Sequence, residues 1–244
     1  REIIGDAVSR GAAEVGVQLH PWVNPPFEEE VNTHNSFAGN LPPELERAKF
    51  SRLRDAIEEA FGTPPISYRA GRYGLGPATK SLLQDMGIKV DTSVRAYFDY
   101  SHQDGPNYED FPNHPYWVAG DTPLLELPVT SVYRGLLASA GPQLFPKLAR
   151  IPRAPGLASR TGLLERVRLT PEGTPLSDAI KGIDAALAAK LPVIVLSFHS
   201  PSLAPGNTPT WPAEGSPPPP SRKPWRRQMR DDGHCPLAAA RIGG

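Results

Sequence analysis

The sequence predicts an α/β fold, a distorted (β/α) barrel whose functional site lies at the carboxyl ends of its strands. Short apolar runs alternate with amphipathic helical stretches along most of the chain, which indicates a parallel sheet wrapped by helices. Polar residues directly follow several of these runs, and barrel enzymes place their sites in this way. Periodicity alone does not distinguish an open sheet from a closed barrel, so the placement of polar residues decides in favour of the barrel.

Composition sets the domain organisation. The chain has 244 residues, of which 39% are apolar, and this is enough for one sizeable domain with its own core. We assign residues 1–209 to that domain and 210–244 to a tail. The tail is rich in proline and arginine and has little apolar periodicity, which predicts disorder. A shifted reading frame would also explain the abrupt change in composition.

Charge and hydropathy exclude several classes of partner. The formal net charge is zero, which gives no indication of a nucleic-acid partner. No apolar run approaches the ~20 residues that a membrane span needs. The sequence has no signal-peptide pattern, and its single cysteine, Cys235, fits a reducing compartment. We therefore expect a cytoplasmic location, while the sequence leaves the oligomeric state open.

The first elements are a helix and a strand that ends in a histidine. Residues 3–8 have helical apolar spacing, and Gly11 is a plausible end. Residues 14–20 alternate as in a strand that ends at His20, because the following proline cannot continue a central strand. Residues 21–41 form a long loop that contains His34, and loops of this length are usually functional or mobile.

The next elements repeat this pattern twice. A helix is predicted from Pro42–Pro43 to Gly62, and a strand over 65–69 leads into a glycine-rich loop. The glycines of that loop do not follow a phosphate-binding fingerprint, which argues against nucleotide binding. A second helix ends near Gly87, and the strand over 88–94 ends in polar residues.

The second half of the chain is less regular. Residues 95–121 form a loop rich in tyrosine and phenylalanine, which suits either the apolar faces of sugar rings or a small satellite core. A strand follows at 124–130, then short helical pieces over 131–170, then a helix capped by Ser177. The run 193–198 is predicted to be a strand buried on both faces, and it leads into His199. That histidine is either catalytic or a core residue bonded to a carbonyl.

These stretches together resemble the polysaccharide deacetylase group (NodB-homology domains, carbohydrate esterase family four), and most closely its WalW-like branch. The resemblance rests on six stretches in order, residues 14–22, 35–42, 68–74, 90–94, 125–128 and 197–209. It implies a distorted barrel with fewer than eight βα units. It also implies a divalent metal, usually zinc, and hydrolysis of N-acetyl groups on the amino sugars of a cell-wall or exported glycan.

The resemblance carries roles onto particular residues. His20 is similar to the first metal-binding histidine, and His199 to the histidine that protonates the leaving amine. Arg69 resembles the arginine that orients the catalytic carboxylate, and Asp91 lies near the motif whose acid tunes the catalytic histidine. Residues in the neighbouring loops are candidates for contacts with the substrate, namely Trp22, Arg72, Tyr73 and Ser200.

The sequence departs from the family pattern at its metal ligands and at both ends. Asn24 stands where a second metal-binding histidine is expected, and His34 is a candidate substitute. The family's aspartate pair, which supplies the general base and a third ligand, lies on a strand that would precede Arg1. We therefore expect weak zinc binding and an inactive chain. The alternatives are a degenerate NodB-type domain that binds glycan without catalysis and, from a further class, an unrelated barrel hydrolase.

Overall fold

A computed structural model describes residues 2–170, 172 and 174–203, which fall into two compact units. The first unit contains the described residues up to Thr170 and those from Thr174 to Ser197. In the second unit, the described residues are Glu172 and 198–203. The predicted tail, 210–244, lies outside the described residues.

The centre of the first unit is a mixed four-stranded sheet. In chain order its strands are β1 (Ser67–Tyr68), β2 (Val90–Asp91), β3 (Tyr116–Val118) and β4 (Leu124–Glu126). In space the order is β1-β2-β4-β3, with β1, β2 and β4 parallel and β3 antiparallel at the edge. The sequence correctly predicted the three parallel strands but assigned β3 to the aromatic loop.

The predicted strand over 14–20 lies beside β1 as an extended segment. Val17 forms a parallel bridge with Tyr68, and its carbonyl oxygen accepts a hydrogen bond from the Arg69 N–H at 2.9 Å. Leu19 accepts one from the Gly71 N–H in the same way. This segment therefore runs parallel to β1 as a further extended chain of the sheet. Its side chains Val17 and Leu19 are buried in the core.

Three helices accompany this sheet, and their bounds follow from local chemistry. They are α1 (Glu2–Ser9), α2 (Pro43–Phe61) and α3 (Thr79–Asp85). As predicted, α2 begins after Pro42 and ends at Gly62, whose φ of 77° is the left-handed conformation that closes many helices. The sheet, α2 and α3 share one core, which includes Val17, Leu19, Phe50, Tyr68, Leu83, Ile88 and Leu124, whereas α1 has no buried residue.

The rest of the first unit is built around a second, antiparallel pair of strands. β5 (Ser131–Arg134) pairs with β6 (Glu165–Arg168), and α4 (Gly141–Ala149), α5 (Ala154–Arg160) and α6 (Leu176–Ala188) contact this pair. The sequence predicted only short helical pieces over 131–170 and missed both strands. The Ser177 cap is also wrong, because α6 begins one residue earlier, after Pro175.

Two predictions about the architecture need correction. The described strands form two separate sheets and no closed ring, so barrel character is not shown. The run 193–198 is not a buried strand, since no strand is formed there and Val193 and Leu196 are 41% and 52% exposed. Val195 exchanges hydrogen bonds with Thr130, but one of them goes to the threonine hydroxyl, which breaks a regular ladder.

No helix in the described part of the chain is long and apolar enough to cross a membrane.

Candidate functional site

Three of the sequence-predicted site residues lie at one edge of the first sheet. His20 follows the extended segment beside β1, Arg69 follows β1, and Asp91 ends β2. The register pairs Tyr68 with Asp91, so the chain turns away from these parallel segments at the same level. The carboxyl edge of a parallel sheet is where α/β proteins place their functional groups.

A buried pair of carboxyl groups lies at this edge. Asp91 is paired in register with Glu126 of β4, and their exposed fractions are 3% and 1%. Burial raises the pKa of Asp91 to about 6 and that of Glu126 well above its ordinary value, and the two carboxyls are hydrogen-bonded to each other. Because two adjacent carboxylates cannot both ionise easily in a buried site, the folded chain binds a proton at this pair more tightly than it would at two isolated carboxyls.

The pair also fixes the turn that follows β2. The Ser93 N–H donates to Asp91 Oδ1 at 2.9 Å, and the Ser93 hydroxyl donates to the same oxygen. The Val94 N–H donates to Glu126 Oε1 at 3.0 Å. Sequence analysis missed Glu126, although a charged residue inside the apolar run 124–129 is a signal that could have revealed it.

Arg69 connects the sheet edge to the last extended segment of the first unit. Its Nε donates to Thr92 Oγ1 at 2.9 Å, and its Nη1 donates to Ser197 Oγ at 2.8 Å. Partial burial lowers the pKa of Arg69. Both hydrogen bonds go to hydroxyl groups, and the role of orienting a catalytic carboxylate stays a prediction.

The turn after His20 is closed by the residue that replaces the expected second histidine. The Asn24 amide oxygen accepts a hydrogen bond from the His20 N–H at 2.9 Å. The His20 and Trp22 rings meet edge to face with centroids 4.8 Å apart. Gly71 packs so closely beneath them that a Cβ there would lie 2.5 Å from His20 Nδ1. This close approach explains why a glycine follows β1.

A buried lysine holds the loop that follows His20. The Lys49 side chain is fully buried, and its Nζ lies 2.9 Å from Oε2 of Glu29, whose side chain is 5% exposed. The same ammonium donates to the Pro21 and Asn24 carbonyls at 3.1 and 2.8 Å, and to that of Pro26. The loop is therefore held in place by this buried lysine.

The described residues do not fit a metal site with three protein ligands. His34 is exposed, and its Nδ1 lies 4.0 Å from the carboxylate of Asp104. Within residues 2–170, 172 and 174–203, no three His, Cys, Asp or Glu side chains are grouped to hold a metal ion. Catalytic zinc normally takes three protein ligands, so we derive no chemical step through a metal.

The two candidate substrate residues after β1 have unusual backbone conformations. Arg72 and Tyr73 have φ values of 56° and 62°, in the left-handed region that side chains disfavour. The Arg72 guanidinium donates to Gln103 Oε1 at 2.6 Å and to the Ser36 hydroxyl, and it lies 4.3 Å from the Phe37 ring centroid. Contacts that hold such strain in place are typical of binding sites.

The second unit contains a histidine–carboxylate pair. His199 Nδ1 lies 2.8 Å from both carboxylate oxygens of Glu172, whose Oε1 also accepts hydrogen bonds at 2.7 Å from the His199 N–H and the Ser202 hydroxyl. Burial opposes ionisation of Glu172, but these donors lower its pKa below the ordinary value. The His199 side chain is 68% exposed, so it is not the core histidine of the alternative hypothesis.

Sequence analysis missed Glu172, because 27 residues separate it from His199 and no local spacing connects them. Ser200, the remaining candidate, is exposed at the start of the 3-10 turn Ser200–Leu203 in the same unit. Convergence of His199 with the residues of the sheet edge stays a prediction.

Comparisons with known proteins give only partial matches. No protein-family model and no curated protein sequence matches the chain. A polysaccharide deacetylase structure from Mycobacterium smegmatis is 26% identical over 53% of this chain and 35% of its own, with a TM-score of 0.36. A polysaccharide deacetylase structure from Pseudomonas aeruginosa PAO1 is 21% identical over 53% and 34%, with a TM-score of 0.34.

The structure of a different enzyme matches with the same TM-score as the first of these. A 4-alpha-glucanotransferase from Thermococcus litoralis is 17% identical over 53% of this chain and 18% of its own, with a TM-score of 0.36. The matched regions span about a third or less of each of these proteins. Overlaps this partial carry no argument about activity, which must come from the residues.

Proposed function

We propose that the chain is a polysaccharide deacetylase-like hydrolase, of the class that removes N-acetyl groups from amino-sugar residues of a cell-wall or exported glycan. The inactivity expected from the departures of the sequence from the family pattern stays a prediction, which the assay below tests. The observation that carries the proposal is the pair of His199 and Glu172. His199 is the residue to which the sequence resemblance gives protonation of the leaving amine. It is exposed, and a carboxylate holds its other ring nitrogen.

The pair suits the proton transfer that amide hydrolysis requires. Water adds to the acetamide carbonyl carbon, the C–N bond then breaks, and the amine nitrogen must receive a proton as acetate leaves. With Nδ1–H donated to Glu172, His199 has Nε2 as the nitrogen that exchanges a proton with the substrate. The carboxylate fixes both the orientation and the tautomer of the ring.

The sheet edge contributes positioning in this proposal. Asp91 and Glu126 are too deeply buried to meet a substrate, and they act by holding the turn at Ser93 and Val94. Arg69 is hydrogen-bonded to Thr92, directly before that turn, and the strained Arg72–Tyr73 loop that follows Arg69 carries polar and aromatic groups. A divalent metal with His20 and His34 among its ligands remains a proposal, and no step above runs through it.

A second candidate function is glycan binding without catalysis. The observation in its favour is Asn24, which stands where the resemblance expects a metal-binding histidine and uses its amide oxygen to close the turn after His20. A domain of this kind would keep the aromatic loop and lose hydrolysis.

The experiment is an assay of acetate release from N-acetylglucosamine oligomers by the full chain, with binding of the same oligomers followed by NMR. We expect His199→Ala to reduce release by about 10²–10⁴-fold, the usual value of a general acid. His114→Ala, at another exposed histidine, is the matched control and should leave release unchanged. Release that survives His199→Ala would contradict the proposed role, and binding without release in the unmodified chain would favour the second candidate.

A further inference from the structure

Two arginines of the first unit lie among aromatic rings, and no carboxylate in the described part of the chain pairs with them. Arg95, in the loop after β2, is 8% exposed, and Arg166 on β6 is half-buried. Among the described residues, no aspartate or glutamate forms an ion pair with either of them. Neither arginine is among the site residues that the sequence predicted.

The two guanidinium groups share one aromatic ring. The Cζ atoms of Arg95 and Arg166 lie 4.4 and 3.7 Å from the ring centroid of Phe98. Arg95 also lies over Tyr73, at 5.1 Å, and Arg166 over Phe145, at 4.5 Å. The two positive charges are therefore brought together by the aromatic loop although they repel each other.

Within the part of the chain that the structure describes, few of the guanidinium N–H groups of these two arginines have hydrogen-bond partners. Arg95 Nη1 makes a long contact of 3.4 Å with the Tyr100 hydroxyl, and Arg95 Nε is buried without a hydrogen-bond partner. Arg166 Nη1 donates to the Tyr97 carbonyl. Each guanidinium has five N–H donors, so most of the donors of the two groups remain available to a further acceptor.

Burying a cation without a counter-charge costs free energy, and aromatic faces offset only part of that cost. The buried ammonium of Lys49 in the same unit is compensated within the chain, because it is paired with the Glu29 carboxylate and three carbonyl oxygens. A pair of buried arginines with unused donors is typical of a site that receives its negative charge from a ligand.

We propose that Arg95 and Arg166 bind an anionic group, a carboxylate or a phosphate, carried by the glycan. Anion binding follows from these two residues alone, whereas its assignment to a glycan rests on the proposed function. The partial exposure of Arg166 gives access, and the rings of Tyr97, Phe98 and Tyr100 are only half-buried, so they offer apolar faces for a sugar ring beside the anion. The substrate class is then an acidic amino-sugar polymer.

The test is thermal melting of the full chain at fixed ionic strength with glucuronate, inorganic phosphate or glucose. We expect at least one anion to raise the melting temperature by several degrees when it is present far above its Kd, and glucose to have no effect. The anion that binds more tightly by calorimetry identifies the group, carboxylate or phosphate. No shift with either anion would overturn the proposal.

The variants Arg95→Met and Arg166→Met keep the apolar length of the side chain and remove the charge. We expect each to weaken anion binding at least about tenfold and to leave the melting temperature of the free protein unchanged or higher. Arg52→Met, at an exposed arginine of α2, is the control and should bind like the unmodified chain. Anion binding that survives both substitutions would overturn the proposal.

Two further comparisons complete the test. If a methionine variant does not fold, Arg166→Lys retains the charge without the planar fork, and we expect it to weaken binding with unchanged melting of the free protein; undiminished binding would count against the site. Acetate release from neutral oligomers is measured in parallel. In the unmodified chain, hydrolysis without anion binding refutes only this inference, and anion binding without hydrolysis refutes only the proposed function.

Discussion

The loop that follows His20 and the aromatic loop differ in how their buried cations are compensated. Beneath the loop that follows His20, Lys49 is fully buried, with a carboxylate and three carbonyl oxygens around its ammonium. In the aromatic loop, Arg95 is almost as deeply buried, yet it meets ring faces and a distant hydroxyl. The first ion has its counter-charge within the chain, whereas no counter-charge for the second lies among the residues that the structure describes.

This contrast separates structural groups from groups available to a ligand. A satisfied buried ion stabilises the folded state only as long as all of its partners remain, so its removal should be costly. An unsatisfied buried ion contributes little or nothing to stability, so its removal should be cheap. The predictions that follow concern buried groups whose contacts lie within the chain, and they are arranged in order of decreasing effect.

The largest effect is expected from Lys49→Met. This substitution leaves the Glu29 carboxylate and three carbonyl oxygens buried without their donor, and we expect unfolding to become easier by about 3–5 kcal/mol. Chemical denaturation monitored by circular dichroism measures the change. Lys80→Met, at an exposed lysine of α3, is the control and should change stability by less than about 0.5 kcal/mol. A loss no larger than that of the control would show that the loop after His20 is not held by Lys49.

The next largest effect concerns the pH dependence of stability. Burial raises the pKa of Glu46 from 4.5 to about 7, while its carboxyl accepts a hydrogen bond from Thr79 Oγ1 at 2.6 Å. Since the folded state binds this proton more tightly than the unfolded state, stability should fall as pH rises from about 4.5 to 7, by about 3 kcal/mol. Asp91, whose pKa is raised to about 6, adds a loss in the same direction at the lower end of that range.

Glu46→Gln isolates the contribution of that residue. The glutamine still accepts the bond from Thr79 but does not ionise, so the plot of unfolding free energy against pH should become flatter between pH 4.5 and 7. Glu44→Gln, at an exposed position of the same helix, should leave the slope unchanged. If both variants follow the unmodified chain, Glu46 is ionised in the folded state over this range.

Glu46 and Lys49 also show where sequence reasoning stops. The apolar stripe and the terminal Gly62 of α2 correctly predicted its bounds, because both signals are local. The burial of two charged residues on the same helix depends on partners in distant segments, Thr79 and Glu29. The periodicity of apolar residues along α2 therefore cannot predict that Glu46 and Lys49 are buried.

The same limit applies to the candidate site. Strand ends predicted that His20, Arg69, Asp91 and His199 converge. The first three lie at one edge, since parallel segments meet there by geometry, and the convergence of His199 with them stays a prediction. Glu126 and Glu172 were missed because each becomes informative only through a partner far away in the sequence. The prediction of a strand over 193–198 was wrong. Its β-branched composition favours a strand, but the Val195 N–H donates to the Thr130 hydroxyl and not to a backbone carbonyl, so no regular ladder forms.

A smaller effect is expected from Gly71→Ala at the sheet edge. The new Cβ would meet His20 Nδ1 and the Leu19 carbonyl oxygen, each at 2.5 Å, so the backbone or the ring must move. We expect a loss of about 1–3 kcal/mol, measured by chemical denaturation. Gly156→Ala in α5 is the matched control, because no atom lies within 4 Å of its added Cβ, and it should be neutral or slightly stabilising. Equal effects from the two substitutions would mean that His20 and Gly71 are not in close contact.

The most direct test of the proposed function is the tautomer of His199, because proton donation through Nε2 requires that Glu172 hold Nδ1. Long-range ¹H–¹⁵N NMR of the full chain, at a pH where the ring is neutral, reports which nitrogen carries the proton, and His199→Ala assigns the signal. We predict the Nδ1–H form, with conversion to the Nε2–H form in Glu172→Gln and no change in the His114 signal. An Nε2–H form in the unmodified chain, indifferent to Glu172→Gln, would contradict the pairing and with it the role of His199 as the proton donor.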